Sequence, residues 1–78
     1  MNSYEQELLS FMVTWAPFGG PQDEDAFPRF GLAVEQLWDR FARMVLSLES
    51  RATELEGYDT ELLWRARRLL SAAPVSAA

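Results

Sequence analysis

Residues 30–56, FGLAVEQLWDRFARMVLSLESRATELE, decide the fold. Val34, Phe41, Leu48 and Leu55 recur every seven positions, Leu37 and Met44 fill the intervals, and Trp38, Val45 and Ala52 widen the apolar stripe. Glu35, Asp39, Arg43, Ser50 and Glu54 fall on the other side, so the spacing predicts a long amphipathic helix. The pattern leaves two readings open: an unbroken helix to Glu56, stopped at Gly57, or a break near residues 47–50. Leu46 lies outside the stripe, on the polar side, where an uncovered leucine invites a partner.

Working outward, Phe30-Gly31-Leu32 is a joint, because glycine alone enters a left-handed turn without strain. Before it, Asp23-Glu24-Asp25 starts a short second helix that ends at Phe30-Gly31, and Pro28 is tolerable there only within the first turn. A short helix, a glycine joint and a longer helix make a helix-turn-helix-like corner. Further upstream, Ser3 and Gln6 read as a capping box for a first helix carrying Tyr4, Leu8, Phe11, Met12 and Trp15 on one face. Pro17 pushes Ala16 out of helical geometry and closes that helix, and Phe18-Gly19-Gly20-Pro21 forms a turn. Downstream, Asp59 or Thr60 caps a fourth helix with Leu62, Leu63, Ala66, Leu69 and Leu70 buried, closed by Pro74. The expectation is therefore an all-α fold: one small four-helix domain over residues 1–73 around a Trp/Phe-rich core, then a frayed tail over 74–78.

Composition narrows the chemistry. The chain has 78 residues, ten of them aromatic, with no cysteine and no histidine. A core exists, but small domains bury a limited fraction of their surface, so dense helix packing or a second copy must supply stability. Disulfides are excluded, and only carboxylate oxygens remain as metal ligands. All seven cations are arginine, and the net charge is −5. That balance disfavours general affinity for nucleic acid or anionic membrane. No apolar run reaches the roughly 20 residues of a membrane span. The N-terminus has neither the basic nor the apolar region of a signal peptide, so the expected location is cytoplasmic.

One set of motifs resembles a known family. Phe11 and Trp15 (F-x-x-x-W), Gly19 four residues on, the acidic short helix, Phe30-Gly31-Leu32, a long helix, and D-x-x-L-L-x-R-x-R-R-L from Asp59 to Leu69 are similar to small actinobacterial proteins catalogued as a domain of unknown function. The resemblance spans roughly residues 8–70 and implies a helix-turn-helix-like core. It implies no activity. Where the family carries tyrosines and a basic residue after F-G-L, this chain has Glu35, Gln36 and Trp38.

Three function classes follow from the residues. The leading expectation is a non-catalytic regulator working through protein contacts, with an unidentified protein or a second copy of the chain as partner. Its contact residues are Trp64, Arg65, Arg67, Arg68 and Leu46, since Trp64 projects opposite the buried face of its helix, and exposed Trp beside Arg is the composition of an interface hot spot. The arginines have a plainer reading too, as complements of the helix dipole and members of surface salt bridges. The alternative is a helix-turn-helix DNA-binding regulator, with Gln36, Arg40 and Arg43 facing the groove. In that motif Ala26, Phe30, Leu32 and Leu37 sit where apolar residues pack, whereas Phe27 falls where a small residue is usual and Arg40 where an apolar one is. A third reading is a phage-type inhibitor that presents Asp23, Glu24 and Asp25 to a basic host surface. Against that stands a solvated, dipole-matched helix start. Without His, Cys or Lys, and with no apolar cleft holding paired carboxylates, no enzyme activity and no cofactor are expected. Ala77-Ala78 resembles the ending by which tagged bacterial proteins reach ATP-dependent proteases.

Overall fold

The computed structural model describes residues 1–72 and is all-α there: α1 (Ser3–Trp15), α2 (Asp23–Phe30), α3 (Val34–Glu49) and α4 (Tyr58–Ala72), with no strand among these residues. Two single 3₁₀ turns, Ala16–Phe18 and Ala52–Glu54, lie in the connections. The tail over 74–78, including Pro74 and Ala77-Ala78, falls outside the described residues.

α1 begins one residue before the expected box. Asn2 is the cap: its side chain accepts the Glu5 backbone N–H at 2.8 Å, and Glu5 Oε1 accepts the Asn2 N–H at 2.9 Å. Asparagine caps at least as well as serine, and a Glu partner adds a charge matched to the dipole. Ser3 becomes the first helical residue. Gln6, released from capping, donates to Asp59 Oδ1 of α4 at 2.7 Å. At the other end Ala16 stays helical (φ −52°, ψ −45°), contrary to the expectation from Pro17. The preference of a pre-proline residue is a bias, and a tighter 3₁₀ turn accommodates the missing donor. The chain reverses at Gly19 and Gly20, with φ +84° and +95°.

α2 also departs from expectation, because Pro28 stands in its second turn. The ring leaves the Glu24 carbonyl without its helical donor, and the helix ends two residues later at Phe30, with left-handed Gly31 (φ +71°) as its cap. Asp23 and Asp25 are engaged: Asp25 Oδ2 accepts the Gln22 N–H at 3.1 Å, and Asp23 Oδ1 accepts the Val34 N–H at 2.7 Å. Only Glu24 of the acidic trio fits the solvated reading fully.

α3 stops at Glu49, which resolves the open choice in favour of a break. The Ser50 hydroxyl donates to the Ser47 carbonyl at 2.7 Å, a local bond that competes with the helix ladder. Beyond Leu48 the apolar period meets Arg51. Ala52 is therefore exposed rather than part of the stripe, and Leu55 reaches the core from the connection. Gly57 opens α4 instead of closing α3: it has φ +55°, and its carbonyl accepts the Glu61 N–H at 3.3 Å. Neither Asp59 nor Thr60 caps, since both already lie within α4.

The core is Leu8, Leu9 and Met12 of α1, Ala26 of α2, Leu37, Phe41, Val45 and Leu48 of α3, and Leu62, Leu63 and Ala66 of α4. α1 packs against both α4 and α3, and α2 covers α3 from the side. The interior is aliphatic, with Phe41 its single fully buried aromatic. The other rings form an edge: Phe11 meets Phe30 edge-on at 5.1 Å, and half-buried Trp38 meets Phe41 at 5.7 Å. Rings this large fill a small core poorly. They cap its margins instead.

Candidate functional site: the seam between α3 and α4

α4 buries Leu62, Leu63 and Ala66, and at 100° per residue Trp64 and Arg68 then point directly away from the core. Trp64 is 61 % exposed. On α3 the same geometry places Leu46 well off the line of Phe41, Val45 and Leu48, and it is 60 % exposed. An ion pair between Glu49 of α3 and Arg67 of α4 joins the two helices. Leu46 precedes Glu49 by three residues and Trp64 precedes Arg67 by three, so each apolar side chain neighbours one member of that pair. Leu46 and Trp64 thus each lie about one turn before the bridged residue of their own helix, and Arg68 lies about one turn beyond Trp64.

The arginines differ in state. Arg65 pairs with Glu61 one turn earlier at 2.8 Å, and Arg67 is held by Glu49. Arg68 has no carboxylate partner among the described residues. The salt-bridge reading thus describes Arg65 and Arg67, while Arg68 is left available. Sequence reasoning missed Glu49, because its partner is 18 residues away and no local spacing signals such a pair.

A second surface lies on the far side of α3. Tyr4 and Glu5 of α1 face Leu32, Gln36, Arg40 and Met44 across an open depression of about 780 Å³. Arg40 Nη1 donates to the Tyr4 hydroxyl at 3.4 Å. Arg43 is paired with Asp39 at 3.1 Å, and Gln36 Oε1 accepts the Ala33 backbone N–H at 3.1 Å. Of the three residues assigned to a DNA groove, one is spent on the helix start and one is neutralised by its neighbour. Glu35 and Asp39 share this surface. The corner itself packs as anticipated at Ala26 and Leu37, which are buried, and at Phe30 and Leu32, which are half-buried. Phe27, at 63 % exposure, turns its bulk outward, so no small residue is needed there.

Among the described residues no three carboxylates converge. The only resolved acidity shift is at Glu5, whose carboxyl is held below its ordinary value first by the Asn2 backbone N–H and then by Arg51 at 3.0 Å. That shift belongs to a helix cap tied to the α3–α4 connection. No helix of the described residues is long and apolar enough to cross a membrane. No protein-family model, curated protein or solved structure matches the chain.

Proposed function

We propose that the protein is a non-catalytic regulator whose α3–α4 seam docks on a protein partner, a second copy of the chain included. The supporting observation is the pair of large apolar side chains, Leu46 and Trp64, left about 60 % exposed on either side of the Glu49–Arg67 bridge. A rigid indole with an adjacent arginine, rimmed by charge, is the anatomy of an interface hot spot. α3 and α4 are held by the core they share, so the helices that present these side chains need little ordering on binding. The DNA-reading alternative draws less support, since Gln36 and Arg43 are engaged within the chain and two carboxylates flank Arg40. A cytoplasmic location and membership of the helix-turn-helix-like family belong to the same proposal and rest on the sequence.

The test is affinity capture with the tagged full-length chain, with and without nuclease, beside Trp64→Ala. Trp64 touches no core position, so the variant keeps its helical circular dichroism. A protein that survives nuclease and is lost with Trp64→Ala is the expected result. Nuclease-sensitive material indifferent to Trp64 but lost with Arg40→Ala would sink the proposal in favour of DNA.

A further inference from the structure

The outward stripe of α4 reads Glu61, Trp64, Arg68, at spacings of three and four residues. Both ends lie on one line along the helix, about 10 Å apart, with the indole between them. Such a stripe is complementary to itself. Turned end for end about an axis beside Trp64, a second α4 sets its Arg68 against Glu61 and its Glu61 against Arg68. The two indoles then meet near the axis, each within reach of the other copy's Arg65 guanidinium. A surface that satisfies its own charges under a two-fold rotation is what a closed homodimer requires.

We infer that the occupant of the α4 face is a second copy of this chain, packed antiparallel across Glu61, Trp64 and Arg68. This rests on the reading of the seam as a protein-contact surface and names its partner. Charge distribution across the molecule favours the same choice. Residues 57–78 hold three arginines against Asp59 and Glu61, whereas residues 1–56 hold ten carboxylates against four arginines. Bringing two copies together through α4 joins their least acidic segments, whereas a symmetric pairing through residues 1–56 sets net-acidic surface against net-acidic surface. Arg68, a cation without a carboxylate partner among the described residues, gains one, while Glu61 is shared between its own Arg65 and the incoming Arg68. A single helix of 15 residues offers a contact about 22 Å long. That is a small interface, so the expected dissociation constant is micromolar or weaker.

The experiment is sedimentation equilibrium of the full chain from about 1 μM to 1 mM, the span of weak to moderate affinities. Wild type is expected to dimerise within that range. Glu61→Arg and Arg68→Glu, each alone, set like charges opposite one another at both ends and weaken association at least about tenfold. Mixing the two single variants restores a dimer, because every cross-copy pair is then opposite in sign, and the double variant E61R/R68E dimerises like wild type. All three positions probed are solvent-facing, and circular dichroism verifies the helix content of each variant. A wild type that stays monomeric to 1 mM overturns the inference, as does a dimer indifferent to the mixing and to Trp64→Ala. If monomeric protein still captures a different protein in a Trp64-dependent way, the second copy is excluded while the contact surface stands. If neither association nor capture depends on Trp64, both fail.

Discussion

Asp23 Oδ1 accepts the backbone N–H of Val34 at 2.7 Å, so the first residue of α2 caps the start of α3. The bond closes the corner from both ends: α2 leaves through Gly31, and its own N-terminus satisfies the helix that follows. Ala33, at the cap position of α3, has no side-chain acceptor, which makes the distant carboxylate its substitute. Asp23→Ala is expected to lower unfolding free energy by about 1 kcal/mol, the usual value of a cap. Glu24→Ala, at an exposed neighbour with no such bond, changes it by less than about 0.5 kcal/mol. Urea denaturation of both variants separates the two roles.

The two left-handed glycines of the first turn should respond differently to alanine. At Gly19 (φ +84°) a Cβ meets nothing within 4 Å, so only backbone strain of about 1–2 kcal/mol is incurred. At Gly20 (φ +95°) the same atom would stand 3.0 Å from Trp38 Cζ2. Gly20→Ala is therefore the more destabilising, with strain and displacement together reaching about 2–4 kcal/mol. It should also alter tryptophan emission, while Gly19→Ala leaves emission unchanged.

Glu5 sets an acid limit. Its carboxyl titrates below the ordinary 4.5, chiefly because it accepts the Asn2 N–H, with Arg51 assisting. A lowered folded-state value means the stabilisation is complete above the unfolded glutamate value and is lost as pH falls through the folded one. NMR titration of the Glu5 side chain should place its midpoint below the ordinary 4.5. Arg51→Ala should raise the Glu5 midpoint and move the onset of acid unfolding to higher pH.

Exposure of the seam predicts near-silence in stability. Leu46→Ala should change unfolding free energy by less than about 0.5 kcal/mol, as surface substitutions do. Phe41→Ala, at a fully buried ring, costs about 3–5 kcal/mol. For a chain of 78 residues whose whole stability is about 4–12 kcal/mol, that is a large share or all of it. Thermal melts of the two variants give the contrast directly, and equal losses would mean that Leu46 is covered.

What the sequence by itself determined is what depends on neighbours three and four residues away. The four helices, the Gly31 joint, and the outward direction of Leu46 and Trp64 all follow from helical spacing, and each survives in the folded chain. What only the tertiary structure decided depends on groups distant in sequence or on a contest between near-equal local choices. Asn2 displaced Ser3 as a cap because both satisfy the same donors and the Asn2–Glu5 pairing also meets Arg51. α3 ended at Glu49 because the core it covers ends there, so Leu55 packs from the connection and Gly57 serves α4. Pro28 persists in the second turn of α2 because that helix is two residues from its end. The Glu49–Arg67 bridge, which ties α3 to α4 across 18 residues of sequence, has no trace in local pattern. Helical periodicity tells which side of a helix faces inward, and only packing tells which other helix stands beside it.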